Sequence, residues 1–556
     1  HSTKMRVLLL LVACVWLSQA HFDPKKQPQD ANSWQQVSVY KNDQGSFYCK
    51  AGMLDDAAPA WGQFQDTLET TGWGVLEVQS SPKFSESDQM FAAGMAEGCL
   101  THHRVVEQYW NMMDVFYPNQ TQPDQDILQF FEENELWMDQ QISLFAETDP
   151  FWAQVGNILQ QFNGLVNGTR EASPVPLPRY VFSILNGVGD LIDLTNAINL
   201  TSSVAKKRIP SKDVLSWTPQ QLADYVHKTG HCSGFIRAEG AYEDLFMAHS
   251  SWFSYSSMNR IYKHYNFPLD SLNAKKISFS SYPGFLESLD DFYLMDSELV
   301  MIQTTNNIFN MTLYDYVVPE SLLAWFRVRV ANGLAHDGQS WYENVKRYNS
   351  GTYNNQYMIL DLSKFTPGWS LADDALWVIE QIPTLVMGAD VTPILRTGYW
   401  PSYNVPFFET IYDMSGYPEV AEAYGTDYTY ELAPRAKIFR RDNTNVTDMT
   451  SLAWMMRYND YENDPYAGGD PWGAICSRGD LPPLPGVAGV PSPNGCYDSK
   501  ITDFANAKKM KSWAINGPTN VQQPTFTWKG DWRGYLHLGE PQTFDFDWYE
   551  MQASWN

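Results

Sequence analysis

Cys232 is the side chain with the most chemistry to offer. It follows Gly230 and His231, precedes Ser233 and opens an apolar run, which sets a thiol at the start of a buried strand. A thiol there can act as a nucleophile if a base or a positive charge draws off its proton. Without either it is an inert small hydrophobe, and the residues alone leave both readings open. Other catalytic arrangements are missing. The setting Cys-Gly-Ser/Ala-Cys-Trp/Tyr is absent, and so is a Gly-x-Ser-x-Gly elbow. His102 and His103 lack ligand spacing, and there is no His-Glu-x-x-His, Cys-x-x-Cys pair, Walker loop or dinucleotide fingerprint. No metal and no cofactor is expected.

Cysteine arithmetic sharpens the point. Met5-Arg6, the apolar run 7–17 and the small-residue ending Ser18-Gln19-Ala20 read as a secretory signal peptide over 5–20, cleaved before His21. Its removal takes Cys14 and leaves Cys49, Cys99, Cys232, Cys476 and Cys496, an odd number in an oxidising compartment. One thiol is therefore free. Cys476 and Cys496 bracket a Pro/Gly-rich loop, which a disulfide would close; Cys49 with Cys99 is a looser pairing, and other pairings stay open.

Five Asn-x-Ser/Thr acceptors, at Asn119, Asn167, Asn199, Asn310 and Asn445, fit a glycoprotein of the lysosome lumen or the extracellular space. No later stretch has the length of apolar residues that a membrane span needs. Lys and Arg number 38 against 64 Asp and Glu, a net charge of −26, so nucleic acid is excluded as a natural partner. Aromatics at 15% and charged residues at 18% supply a large core and none of the marks of disorder.

The elements that must position Cys232 follow from periodicity. A strand is expected at 72–78 and helices at 87–112, 126–145, 150–166 and 180–198, the N-terminal third being otherwise mostly helical. From 202 to 231 the chain turns polar, with Lys206-Lys207-Arg208 and Pro210, and reads as an exposed processing linker. Strands are expected at 232–237, 244–249, 277–282, 291–295, 299–305, 356–362 and 375–382, with helices at 321–334, 339–348 and 447–458. Those strands are apolar on both faces, which favours sheets covered on both sides. The end, 497–556, rich in Trp, Gly and Pro, reads as irregular structure wrapped over the core.

Local motifs occur along the chain in a telling order: Gly230-His231-Cys232-Ser233, Ala248-His249-Ser250-Ser251-Trp252, Phe279-Ser280-Ser281-Tyr282-Pro283-Gly284, Asp290-Asp291-Phe292-Tyr293, Asn349 through Gln356, Tyr399-Trp400-Pro401-Ser402-Tyr403-Asn404 and Pro434 through Arg441. The chain thereby resembles the phospholipase B-like family, its type 1 branch more than its type 2 branch, over roughly residues 72–546. The resemblance implies an α+β fold of the N-terminal-nucleophile hydrolases, an αββα sandwich of two stacked antiparallel sheets between helical layers. It also implies self-cleavage between His231 and Cys232, giving fragments 21–231 and 232–556 that stay together as one compact unit.

The chemistry implied is then that of a residue that is nucleophile and base at once. Cleavage would free an α-amine on the residue that carries the thiol, with ordinary pKa values of about 7.7–8 and about 8.5. By the same resemblance Asn404 is the candidate oxyanion donor, His249 and Trp252 line the nucleophile pocket, Thr305 contacts Cys232 or the substrate, and Arg435 orients the site. On the residues alone, Trp252 reads equally as core, Thr305 as a strand-end hydroxyl, Arg435 as an ion-pair partner and His249 as a hydrogen-bonded core histidine. Asn354 and Asn355 are either further oxyanion donors or a turn device. The implied substrate is a phospholipid or another acylated lipid, hydrolysed at its fatty-acyl esters. The alternatives are an amidase acting on N-acyl lipids or peptides, and a lipid-binding glycoprotein that cleaves itself but turns over little.

Overall fold

The computed structural model describes residues 33–198 and 213–555. The expected signal peptide, the acceptor at Asn199 and Lys206-Lys207-Arg208 lie outside these residues.

Strand alternation organises the molecule into layers. Along Leu299–Thr305, Val300 and Ile302 turn into one apolar cluster and Leu299 and Met301 into another. The neighbouring strand Asn355–Asp361 divides in the same way, Met358 and Leu360 against Tyr357 and Ile359. The first cluster also takes Ile236, Ala238, Leu245 and Met247, so it is the seam between an 11-stranded and a 6-stranded sheet. On the far side of the larger sheet, the second cluster packs against the helices Glu86–Phe116, Ala324–Leu334 and Gly338–Val345. On the far side of the smaller sheet, Phe235, Phe246, Ala248 and Ile501 lie under Ile438 and Phe439 of Pro434–Asp442 and Leu452 and Met456 of Met449–Met456. The order helix, sheet, sheet, helix is the expected α+β sandwich.

The 6-stranded sheet runs Tyr399–Ser402, His231–Ala238, Leu245–Ser254, Asn494–Asp503, Ser512–Asn516, Tyr549–Met551. Its last three members correct the expectation of an irregular C-terminal end. Asp498 and Lys500 read as solvent-facing residues, yet both are fully buried and paired with each other and with residues far away in sequence. The N-terminal third likewise holds three strands, Gln35–Lys41, Phe47–Ala51 and Ala60–Thr67, where helix was expected. They form one edge of the larger sheet, and their half-buried pattern carries too few apolar positions to stand out. Between them and the rest lies the parallel pair of the sheet, Trp73–Ser80 with Ile261–Asn266; the other pairings are antiparallel.

The expected helices sit close to their places, as Glu86–Phe116, Gln125–Phe145 and Pro150–Ala172. Ser85 caps the first through Asp88 N at 3.2 Å, and Asp149 caps the third, with Pro150 at its first position. These two helices pack at glycines: a Cβ on Gly164 would lie 1.9 Å from the Phe91 carbonyl oxygen. The single helix expected over 180–198 is two, Arg179–Asn186 and Val188–Ala197, which meet at Gly187, where a Cβ would strike the Phe131 ring.

Candidate active site

The strand His231–Ala238 lies between Tyr399–Ser402 and Leu245–Ser254, with Cys232 directly opposite Ser251 and Gly234 opposite His249. Gly230, at φ 76°, lets the chain turn into it. Cys232 shares a face with Gly234 and Ile236, the face toward the other sheet; a Cβ on Gly234 would come within 3.0 Å of Met358. The remaining described cysteines are paired, Cys49 with Cys99 and Cys476 with Cys496, and Cys232 is free and buried. Burial pushes its thiol up to about 12, with Lys500 opposing.

Two of the expected residues hold the backbone of Cys232, and a third holds one of these two. Its N–H donates to Asn404 Oδ1 at 3.2 Å, and the Arg435 guanidinium donates to its carbonyl oxygen. Arg435 also donates to Asn404 Oδ1 at 2.7 Å and to the Tyr403 carbonyl at 2.8 Å. The Asn404 amide donates to the Thr305 carbonyl at 2.5 Å, so Thr305 enters the site through its backbone. Asn404 sits at φ 67°, a left-handed conformation that asparagine tolerates better than most residues, just after Tyr399–Ser402. Burial lowers the Arg435 pKa, and no carboxylate among the described residues lies within ion-pair distance of it. Its guanidinium is 4.2 Å above the Trp252 ring, a cation–π contact, and Trp252 packs on the Cys476–Cys496 disulfide.

His249 lies deeper, its Nε2 2.7 Å from the Gln303 carbonyl and its Nδ1 3.4 Å from Ser251 Oγ. Lys500 Nζ donates to Ser251 Oγ at 2.6 Å, to Asp290 at 2.5 Å and to Asp498 at 2.7 Å, and Arg260 binds the same two carboxylates. Burial, then Lys500, hold His249 well below its ordinary value. Of this cluster the sequence motifs reached Asp290 and Ser251 but assigned them no role, and missed Arg260, Gln303, Asp498 and Lys500. Lys500 and Asp498 alternate with apolar Ile501 and Tyr497 on a strand, the one signal available.

The approach to Cys232 is closed. His231 is buried, its ring near that of Trp252 and its Nε2 3.5 Å from Asn307 Nδ2. Thr229 donates to Asn307 Oδ1 at 2.8 Å. Beside them a cavity of about 10 Å³, room for about one water, is lined by Asp193, Tyr225, Thr229, Thr305, Asn306 and others. Burial raises Asp193 to about 7. The expected exposed linker is folded where it is described: Pro219–Lys228 is a helix with a Thr218 capping box, and Val214, Trp217, Leu222 and Tyr225 are buried. The His227 ring stacks on Trp472 at 3.9 Å.

Asn354 and Asn355 are committed elsewhere. The Asn354 amide donates to Asp193 and to the Gly351 carbonyl, and that of Asn355 to Tyr357 Oη. Of the glycosylation acceptors, Asn119, Asn167 and Asn445 are exposed, and Asn310 is half-buried with its amide on the Met414 carbonyl. The one grouping of ligand-type residues among the described ones is Cys49, Cys99 and Glu171, whose sulfurs the disulfide consumes. No helix among the described residues is long and apolar enough to cross a membrane.

This arrangement places the molecule among α+β sandwiches that bury a lone thiol at the start of a sheet strand, pinned by an amide and a guanidinium. Comparison with known sequences narrows the class. The family model described as Phospholipase B matches residues 60–551, so the chain belongs to that family. It is 44% identical over 511 residues to Phospholipase B-like 1 of Rattus norvegicus, covering 90% of this chain and 88% of that protein. It is 42% identical to Phospholipase B-like 1 of Homo sapiens, over 90% and 88%, and 42% identical to Phospholipase B of Crotalus adamanteus, over 90% and 89%.

Proposed function

We propose that this chain is a self-processed cysteine hydrolase of acyl bonds, acting on the fatty-acyl esters of phospholipids. The observation that carries the reading is the hold on residue 232: Asn404 fixes its nitrogen, Arg435 fixes its carbonyl, and its thiol points into the seam between the sheets. Cutting the His231–Cys232 bond turns that fixed nitrogen into an amine beside the thiol. The names borne by the relatives supply the substrate class.

In turnover the α-amine takes the thiol proton and the thiolate attacks the acyl carbonyl. The leaving alcohol departs with a proton from the ammonium, and water then hydrolyses the thioester to release the acid. Arg435 has a particular duty in an acidic lumen. A cation that shares an acceptor with the amine disfavours the ammonium form, so free base persists at lower pH than for an exposed amine. The signal peptide, the sequons and the buried carboxyls that burial raises, Asp193 and Glu380 to about 7 and Asp470 to about 6, support a glycoprotein of an acidic compartment or a secreted one. Helix Pro219–Lys228 and residues 229–231 stand over the nucleophile and are trimmed or displaced before substrate enters.

One observation favours an amidase as second reading: the bond held at Cys232 in the intact chain is itself an amide, with polar Asn307 on its acyl side. N-terminal sequencing of the large fragment made at acid pH tests the mechanism. A fragment that starts elsewhere than Cys232, or the same cut in Cys232→Ala, refutes it. Acid release from phosphatidylcholine, compared with release from an N-acyl amide by one preparation, decides between ester and amide.

A further inference from the structure

Self-cleavage needs something that turnover does not. In the intact chain residue 232 has a peptide nitrogen and no amine, so its thiol lacks a base of its own. We propose that during self-cleavage Ser251 relays the Cys232 proton to His249, and that Lys500 is the positioning residue that orients Ser251 for this. The inference rests on His231–Cys232 being the bond that is cut.

Hydrogen-bond directions define the route from Ser251 onward, and the strand pairing supplies the step from Cys232 to Ser251. The Gln303 carbonyl can only accept, so His249 Nε2, 2.7 Å away, carries the ring hydrogen and Nδ1 keeps its lone pair. An ammonium can only donate, so Ser251 Oγ accepts from Lys500 at 2.6 Å and its own hydrogen is left for His249 Nδ1 at 3.4 Å. Ser251 faces Cys232 across the ladder, on the same side of the sheet, where paired Cβ atoms lie about 4.5–5.5 Å apart. Lys500 is held in turn by Asp290 and Asp498, and Arg260 completes a buried set of two cations and two anions.

The step balances. The Cys232 S–H breaks as Ser251 Oγ takes the proton, and the Ser251 O–H breaks as His249 Nδ1 takes it. The sulfur electron pair forms the S–C bond to the His231 carbonyl carbon. The C–N bond then breaks, and the residue 232 nitrogen receives the proton back along the same path. Water hydrolyses the thioester, leaving a carboxylate on His231 and a free thiol and amine on Cys232.

The charges that face His249 are Lys500 and Asp498 on Asn494–Asp503, Asp290 before Phe292–Met295 and Arg260 before Ile261–Asn266, with the Cys232 thiol on the next strand. Burial and Lys500 keep the imidazole neutral, so Nδ1 remains a base at a pH where an exposed histidine is already protonated.

The test times self-cleavage of freshly made full-length chain between pH 4.5 and 7 by gel, with thermal unfolding as a check of folding. Ser251→Ala is expected to slow cleavage about 100-fold or more, the usual range for a lost acid–base path, and Ser251→Thr, which keeps the hydroxyl, to recover most of it. Lys500→Gln removes the second cause, after burial, that holds the His249 pKa down, so cleavage in this variant is expected to fall more steeply toward the acid end of the range than in wild type. Folded Ser251→Ala that cleaves within threefold of wild type overturns the relay, as does Ser251→Thr as slow as Ser251→Ala, or a Lys500→Gln profile no steeper than that of wild type. Cleavage at the same bond in Cys232→Ala overturns the parent reading instead, so the two failures are distinguishable.

Discussion

Replacing Arg435 by methionine tests the electrostatics of turnover directly. The nitrogen of Cys232 and the Arg435 guanidinium both bind Asn404 Oδ1, at 3.2 and 2.7 Å, so in the cleaved protein amine and cation lie less than about 6 Å apart. Two unit charges at about 6 Å with an effective dielectric of about 20 repel by about 3 kcal/mol, or about two pKa units. The sign follows from the proposed mechanism: Arg435 would lower the amine pKa, turnover would need the neutral amine, and activity would be lost as pH falls through that pKa. Arg435→Met therefore moves the acid limb of kcat/KM up by about two pH units, a loss of about 100-fold at pH 5 and much less at pH 8. Arg435→Lys keeps the charge and leaves the limb near that of wild type. Rates are measured per cleaved molecule, with the cleaved fraction read from a gel. An Arg435→Met enzyme whose acid limb coincides with that of wild type refutes the argument. Stability is expected to change little, because the lost hydrogen bonds are offset by relief from burying an unpaired cation.

Two further measurements follow from the packing. Removing the Cys476–Cys496 bridge, by Cys476→Ala with Cys496→Ala, frees a loop of 20 residues and is expected to cost about 3 kcal/mol in a denaturant titration; because Trp252 packs on this bridge under Arg435, self-cleavage slows as well. Asp193 and Glu380 are raised by burial to about 7 from ordinary values near 4, so the folded state binds more protons than the unfolded one between those limits. Their contribution to stability is full below about pH 4 and lost as pH rises through 7. The Tm at pH 5 should exceed that at pH 8, and Asp193→Asn with Glu380→Gln should shrink the difference.

The sequence read most clearly where apolar spacing was strong. The strand expected at 299–305 is Leu299–Thr305, and the helix expected at 126–145 is Gln125–Phe145. It failed where charge is buried. Asn494–Asp503 looks like a solvated loop because its inner face carries Asp498 and Lys500, whose partners Arg260 and Asp290 lie some 200 residues away. Pairing of that kind leaves no trace in a local window. The same cause hid the polar half of the site. Cys232, His249, Asn404 and Arg435 lie in the ordered motifs and Thr305 came from the resemblance alone; Asn404 and Arg435 hold the backbone of Cys232, Thr305 binds Asn404 through its carbonyl rather than a strand-end hydroxyl, and His249 lies deeper, against Gln303 and Ser251. The strand expected at 244–249 stops short of Ser254 because Ser250 and Ser251 break the apolar run, and Ser251 is the residue that faces Cys232.

Neither disulfide crosses the His231–Cys232 bond: Cys49 and Cys99 lie before it, and Cys476 and Cys496 after it. If that bond is cut as proposed, the two halves share no disulfide and are held by the parallel ladder of Trp73–Ser80 with Ile261–Asn266, by side-chain packing, and by ion pairs and hydrogen bonds such as Lys263 with Glu97 and Arg347 with Asp149. Folding then becomes a one-way event. The precursor folds as one chain, whereas the denatured product must find a second molecule to recover its sheet, at a rate set by concentration. Heat inactivation of the mature enzyme should consequently be governed by the rate of unfolding rather than by an equilibrium midpoint.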